Sequence, residues 1–220
     1  LVSFDPNDYY KLRQVNINGT ANIVNLCIAN NIKKLAYVSS VAAVGDSLTS
    51  SLANEECEWN TEADHSVYAI TKYGAEMEVW RGTQEGLDTV VINPGIIVGP
   101  GFWNASSSSL IKRVYKGLRH YTNGSTGYVD VHDVVKILIQ LYESDIKNER
   151  YIIVSENLSF KDFLISTSNY LKVKSPKKLA SKALLNIAWR LDWLKNKLTG
   201  KRRKLTKHNV RSLTTESNYS

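Results

Sequence analysis

Apolar and polar positions along the chain fall into two alternating rhythms: short apolar runs, and longer stretches in which apolar residues recur every three or four positions. Residues 8–29 follow the helical rhythm, with Leu12, Val15, Ile23, Leu26 and Cys27 on one stripe. "KKLAYVSSVAAVG" (33–45) is a short apolar run ending in serines, which reads as a buried strand entering a polar loop. Residues 46–65 form a long polar connection, and "SVYAITKYGAEMEVW" (66–80) opens an amphipathic helix with Tyr73, Met77 and Trp80 spaced for burial. "LDTVVINPGIIVGPG" (87–101) is a second buried strand, interrupted at Pro94 and Gly95. "YVDVHDVVKILIQLYES" (128–144) is a short strand feeding a helix, with Asp130 suited to cap it and Asp133 suited to its positive end. "RYIIVS" (150–155) is a last short strand. Apolar strands alternating with helices predict an α/β fold with a doubly wound parallel sheet. Such sheets bind ligands at the carboxyl ends of their strands, where Ser39, Ser40 and the turn at 93–95 fall.

Charge divides the chain. Of the 28 Lys+Arg and 21 Asp+Glu, residues 1–170 hold 14 and 19, a net of −5, whereas residues 171–220 hold 14 and 2, a net of +12. Cys27 and Cys57 have no metal or redox spacing, so no metal site is expected and a reduced, cytoplasmic setting is the default. No apolar run reaches the ~20 residues of a membrane span. No leader peptide is visible, but the chain starts at Leu1 rather than Met, and reads as a piece of something longer.

The candidate chemistry lies at the start of the 66–80 helix. Tyr68 and Lys72 are four residues apart, hence on one helical face. A free phenol titrates near ~10 and is a poor base at neutral pH, and a neighbouring cation favours the phenolate. A phenol tuned in this way can pass a proton to or from a substrate oxygen, and a serine hydroxyl from a strand end can hold that oxygen. Tyr-x-x-x-Lys alone recurs by chance in many helices. Its weight here comes from order: strand, Ser-Ser and glycine loop, then Tyr-x-x-x-Lys opening a helix, then strand and Asn-Pro-Gly.

In "VNINGTANIV" (15–24), "KLAYVSSVAAVG" (34–45), "YAITK" (68–72), "NPGIIVGPG" (93–101) and "YVDVHDVV" (128–135), the chain resembles the extended short-chain dehydrogenases/reductases, of the NAD-dependent epimerase/dehydratase and 3β-hydroxysteroid dehydrogenase-like type. The resemblance covers roughly residues 1–155. It implies a Rossmann-type domain in residues 1–100, and mainly a small, mostly helical substrate-binding subdomain with a basic tail in residues 101–220. Residues 130–155 would return to the Rossmann domain. Tyr68 would be the general acid/base, and Lys72 would lower its pKa and hold the nicotinamide ribose. Ser40, with Ser39 as runner-up, would be the catalytic serine. Asn16 would support a proton relay, a helix kink or packing beside Gly19. Pro94 and Ile97 would line the nicotinamide of NAD or NADP. Phe102 and Trp103 would wall the substrate pocket or serve as packing aromatics. His132 reads as an exposed or capping residue. The implied activity is NAD(P)-dependent interconversion of a secondary alcohol with a ketone or aldehyde. Nucleotide-sugar epimerisation or dehydration, and a non-catalytic binding protein of the same fold, are the alternatives. A small-molecule substrate and a homodimer are the partners this family suggests. The family's glycine-rich phosphate loop would precede Leu1, since no such motif occurs here; the 220 residues alone are therefore expected to bind the cofactor weakly and to be inactive.

The basic tail, residues 176–211, carries Leu184, Leu185, Ile187, Ala188, Leu191, Leu194 and Leu198 on a stripe, with Trp189 and Trp193 beside it and Lys/Arg flanking it. It reads as a helix of the substrate subdomain with a solvated basic face, or as an interfacial helix on anionic membrane. No base-reading motif accompanies the charge, so a nucleic-acid partner is not expected.

Overall fold

The structure, a computed structural model, describes residues 1–45, 52–101, 103 and 107–220. The first helical stretch is continuous but changes its winding: a 3-10 turn (Pro6–Asp8), α1 (Tyr9–Leu12), a π-helical segment (Arg13–Asn18) and α2 (Gly19–Ala29). Then follow β1 (Lys34–Val38), a 3-10 turn (Val41–Ala43), β2 (Leu52–Ala53), α3 (Val67–Gln84), β3 (Asp88–Pro94) and β4 (Ile96–Val98). After these come α4 (Ser108–Tyr115), β5 (His120–Tyr121), β6 (Ser125–Asp130), α5 (Val131–Glu143), β7 (Glu149–Ile153) and β8 (Glu156–Ser159). The chain closes with α6 (Phe160–Tyr170), β9 (Lys178–Leu179), α7 (Lys182–Thr199), α8 (Lys207–Thr214) and β10 (Asn218–Tyr219).

The principal sheet is parallel, ordered β1-β3-β7. Val90, Val91 and Ile92 of its central strand are fully buried. Because successive strand side chains point to opposite faces, Val91 joins Val24, Val79 and Leu87 under α2 and α3, while Ile92 joins Val129, Val134 and Ile153 under α5. Helices thus cover both faces, as the continuous apolar runs of the strands require. A second sheet, β4-β6-β8, is parallel between β4 and β6 and antiparallel between β6 and β8. At the break after β3, a Cβ on Gly95 would lie 2.4 Å from the Gly127 carbonyl oxygen, so only glycine lets the chain pass β6 there. Asp130 caps α5 by accepting from the His132 amide at 2.7 Å, as its position in the sequence suggests.

Two expected stripes differ from those found. In the first helical stretch Leu12 and Val24 are buried and Cys27 packs on the core, but Val15, Ile23 and Leu26 are 49, 52 and 58% exposed. The π segment lies between Leu12 and Val24 and widens each turn. The buried face therefore steps by four residues, through Leu12, Asn16 and Val24, rather than following a uniform helix. In α3, Met77 is exposed; the buried set is Ala69, Thr71, Ala75, Glu76, Val79 and Gly82. This helix approaches its neighbours through small residues. A Cβ on Gly74 would lie 2.7 Å from the Ile17 Cδ1, and one on Gly82 2.8 Å from a Val24 methyl.

Candidate active site

The carboxyl end of β1 is pinned to its neighbour: the Ser39 amide donates to the Ile92 carbonyl at 2.7 Å. The next residue, Ser40, is extended and caps the 3-10 turn, its hydroxyl accepting from the Ala42 amide at 3.2 Å. Asn93 of β3 donates to the Ser40 carbonyl at 3.0 Å. Ser66 caps α3 by accepting from the Ala69 amide at 3.1 Å, which fixes Tyr68 in the first turn, facing this strand end.

There the Ser40 hydroxyl lies beside the Tyr68 phenol, near enough to act on its titration. The Phe4 ring lies 5.6 Å from the phenol ring, tilted by 59°. Burial pushes the Tyr68 pKa up, and the neighbouring Ser40 hydroxyl opposes that only in part. The expectation that Lys72 holds this phenol below its ordinary value is corrected here. The Lys72 ammonium donates to the Val38 carbonyl at 3.0 Å and to the Tyr37 hydroxyl at 3.4 Å, 4.9 Å from the centre of the Tyr37 ring. Burial lowers the pKa of Lys72 itself to about 8, with the Glu76 carboxylate acting in the opposite sense. Ser39 has a different environment from Ser40: its hydroxyl is buried with no partner among the described residues.

Asn16 is buried in the π segment and donates to the Thr71 hydroxyl at 3.2 Å, so it reaches α3 one residue before Lys72. Its remaining bonds go to the backbone of Leu1, at 2.8 and 3.0 Å. Pro94 is buried at the end of β3, opposite Ile153. Ile97 packs on the Ile92 core cluster. Trp103 is 53% exposed, and Phe102 lies outside the described residues. His132 is exposed. Among the described residues no cluster of three or more His, Cys, Asp or Glu side chains could hold a metal ion.

One part of this region escaped the sequence reading. Glu76 is fully buried and accepts from Asn93 at 2.9 Å, from the Trp80 indole at 3.3 Å and from Arg150 of β7 at 3.4 Å. Arg150 also donates to the Glu55 and Cys57 carbonyls, and the Glu55 carboxylate accepts from the Ile152 amide at 2.7 Å. The segment around Glu55 is thereby fastened along β7, and Glu76 is tied through Asn93 to the backbone of Ser40. The signal was present in the sequence: Tyr68, Lys72 and Glu76 repeat at helical spacing, and a carboxylate among Ala69, Ala75 and Val79 needs a partner. Phe4 and Tyr37 carried no such signal.

Comparison with known proteins gives this arrangement its relatives. The model of the NAD dependent epimerase/dehydratase family matches residues 3–154. A cinnamoyl-CoA reductase of Medicago truncatula is 29% identical over 178 residues, covering 74% of this chain and 54% of that protein. Cinnamoyl-CoA reductase 1 of Petunia hybrida is 31% identical over 145 residues, covering 61% of this chain and 43% of that protein. The chain spans about half the length of the curated relatives it matches. Among solved structures, gox2253 superposes on 100% of this chain and 67% of its own, with a TM-score of 0.81 and 23% identity. A UDP-N-acetylglucosamine 4-epimerase of Methanobrevibacter ruminantium M1 covers 81% of this chain and 60% of its own, with a TM-score of 0.68 and 22% identity. At these identities the structural likeness concerns the fold.

Proposed function

The chain belongs to the NAD dependent epimerase/dehydratase family, and from that premise we propose that it carries the proton-transfer half of an NAD(P)-dependent carbonyl reductase, with Tyr68 as the acid. The observation that carries this reading is the placing of Ser40, held by Asn93 at the carboxyl end of β1, beside Tyr68 in the first turn of the Ser66-capped helix. In the reduction direction, the substrate carbonyl oxygen sits where the Ser40 hydroxyl can hold it and the phenol can protonate it. A phenol kept protonated by burial suits that direction, since it must give a proton as negative charge grows on the oxygen. Asn93 and Glu76 hold the Ser40 backbone in place.

The residues present fit a dinucleotide at this strand end. An ammonium has three protons, and Lys72 commits two of them among the described residues, to Val38 and Tyr37. The third is free to meet a ribose hydroxyl. Pro94 and Ile97 are the residues assigned to the nicotinamide side. When bound, NADH or NADPH supplies the hydride. Reduction is preferred over nucleotide-sugar epimerisation because the relatives with the fuller sequence match are reductases.

The test is oxidation of NADH and NADPH by the complete protein, followed in absorbance over a panel of ketones, aldehydes and acyl thioesters. Turnover that depends on both carbonyl and cofactor, and that falls by about 10²–10⁴-fold in Tyr68→Phe, is the expected result. Nicotinamide oxidation at an undiminished rate in that variant would sink the assignment of Tyr68.

A further inference from the structure

We propose that α7 is a docking helix that lays the protein on an anionic lipid bilayer. The helix packs against α8, turning Leu185, Ala188, Trp189, Asp192 and Asn196 inward, and none of its residues is fully buried. Its outward face is the more apolar one. Leu184, Ile187, Leu191, Leu194 and Leu198 repeat at steps of three and four and are 48, 58, 62, 45 and 76% exposed. That is the reverse of a helix whose only role is to cover its own core.

The charge around this stripe selects the occupant. At 3.6 residues per turn, Arg190 and Lys195 fall roughly 70° to either side of the leucine stripe. Arg190 lies over the Trp189 ring, 4.7 Å from its centre, and donates to the Asn186 carbonyl at 2.9 Å, while Lys195 is exposed on the other side. Lys197 adds to the Arg190 side, and Lys201 and Lys204 follow just beyond the left-handed Gly200 that ends the helix. Arg202 and Lys207 are engaged by Asp8 and Asp64. Among the described residues Lys182, Arg190, Lys195, Lys197, Lys201 and Lys204 are exposed and form no ion pair. A leucine stripe edged on both sides by unpaired cations matches a surface that is apolar below and anionic above, which is the headgroup boundary of a bilayer containing acidic lipids. No helix of the described residues is long and apolar enough to cross a membrane, so the helix lies in the boundary rather than through it.

The experiment is co-sedimentation of the complete protein with vesicles of phosphatidylcholine alone, or with about one-third phosphatidylserine, at low and high salt. Binding is expected only to the phosphatidylserine vesicles, with release as salt shortens the Debye length from about 10 Å to about 3 Å. Leu191→Asp and Lys195→Glu/Lys197→Glu should each weaken binding by about tenfold or more, and circular dichroism should report an unchanged fold, since these side chains cover no core. Three outcomes overturn the proposal. One is no sedimentation at low salt, the result if the rest of the protein covers the stripe. Another is undiminished binding of Leu191→Asp, which would leave charge without insertion. The third is a concentration-dependent dimer that Leu191→Asp abolishes in the absence of vesicle binding, which would make a second copy the occupant.

Discussion

Helices α3 and α7 are both 18 residues long, and each is capped by a serine. Ser66 accepts from the Ala69 amide at 3.1 Å and Ser181 from the Leu184 amide at 3.2 Å. Their fates differ. α3 buries six residues, among them a glutamate and a threonine, while α7, with five leucines, buries none. The apolarity of a helix therefore does not decide its burial here. Gly74 and Gly82 let α3 settle against Ile17 and Val24, and the Asn93–Glu76–Arg150 network satisfies its buried carboxylate. α7 has no equivalent notch. It meets α8 with a mixed face and leaves Leu184, Leu191, Leu194 and Leu198 outside.

Substitutions can break or sharpen this contrast. The largest effect is expected at Tyr68: Tyr68→Phe keeps the ring but should cost about 10²–10⁴-fold in turnover of the complete enzyme. Leu191→Asp on α7 should leave turnover within a factor of about two, so equal losses in the two variants would erase the distinction. Next comes the buried network. Arg150→Met strands the Glu76 carboxylate and should lower unfolding free energy by about 3–5 kcal/mol in urea titration. Arg190→Met on α7 should change it by no more than about 0.5 kcal/mol. The packing of α3 is probed by Gly74→Val, which drives a side chain into Ile17 and should cost about 1–3 kcal/mol. Ala183→Val on α7 should cost no more than about 0.5 kcal/mol.

A separate effect is a pH dependence. The Lys72 pKa falls from 10.5 to about 8 on folding. Its burial as a cation therefore weighs against the fold below pH 8, and that cost is lifted as pH rises from about 8 towards 10.5, where the unfolded chain still binds the proton. Wild-type stability should gain on that of Lys72→Met across this window, measured as the gap between their denaturant midpoints. A gap that stays constant with pH would mean that Lys72 titrates alike in both states.

The strands of the principal sheet and the order of the motifs were legible in the sequence, because a strand buried on both faces must be apolar throughout and the serines, the Tyr-x-x-x-Lys helix and the Asn-Pro-Gly break mark the way from one to the next; the short strands β2, β5, β8, β9 and β10 were not. The Asp130 cap was legible for the same reason: a cap is a local hydrogen bond between residues two or three apart. The sequence also determined that Tyr68, Lys72 and Glu76 share a helical face. Tertiary structure decided what each of them touches. The Lys72 ammonium finds the Val38 carbonyl and the Tyr37 hydroxyl across 34 and 35 residues of chain. Burial, a property of the packed whole, then sets the phenol high rather than low. The π segment shifted the phase of the first helical stretch, which a fixed period of 3.6 cannot anticipate. Nor does periodicity choose between two candidate faces of a helix. The face that turns inward is the one its neighbours can accommodate, and in α7 that left Leu184, Leu191, Leu194 and Leu198 exposed.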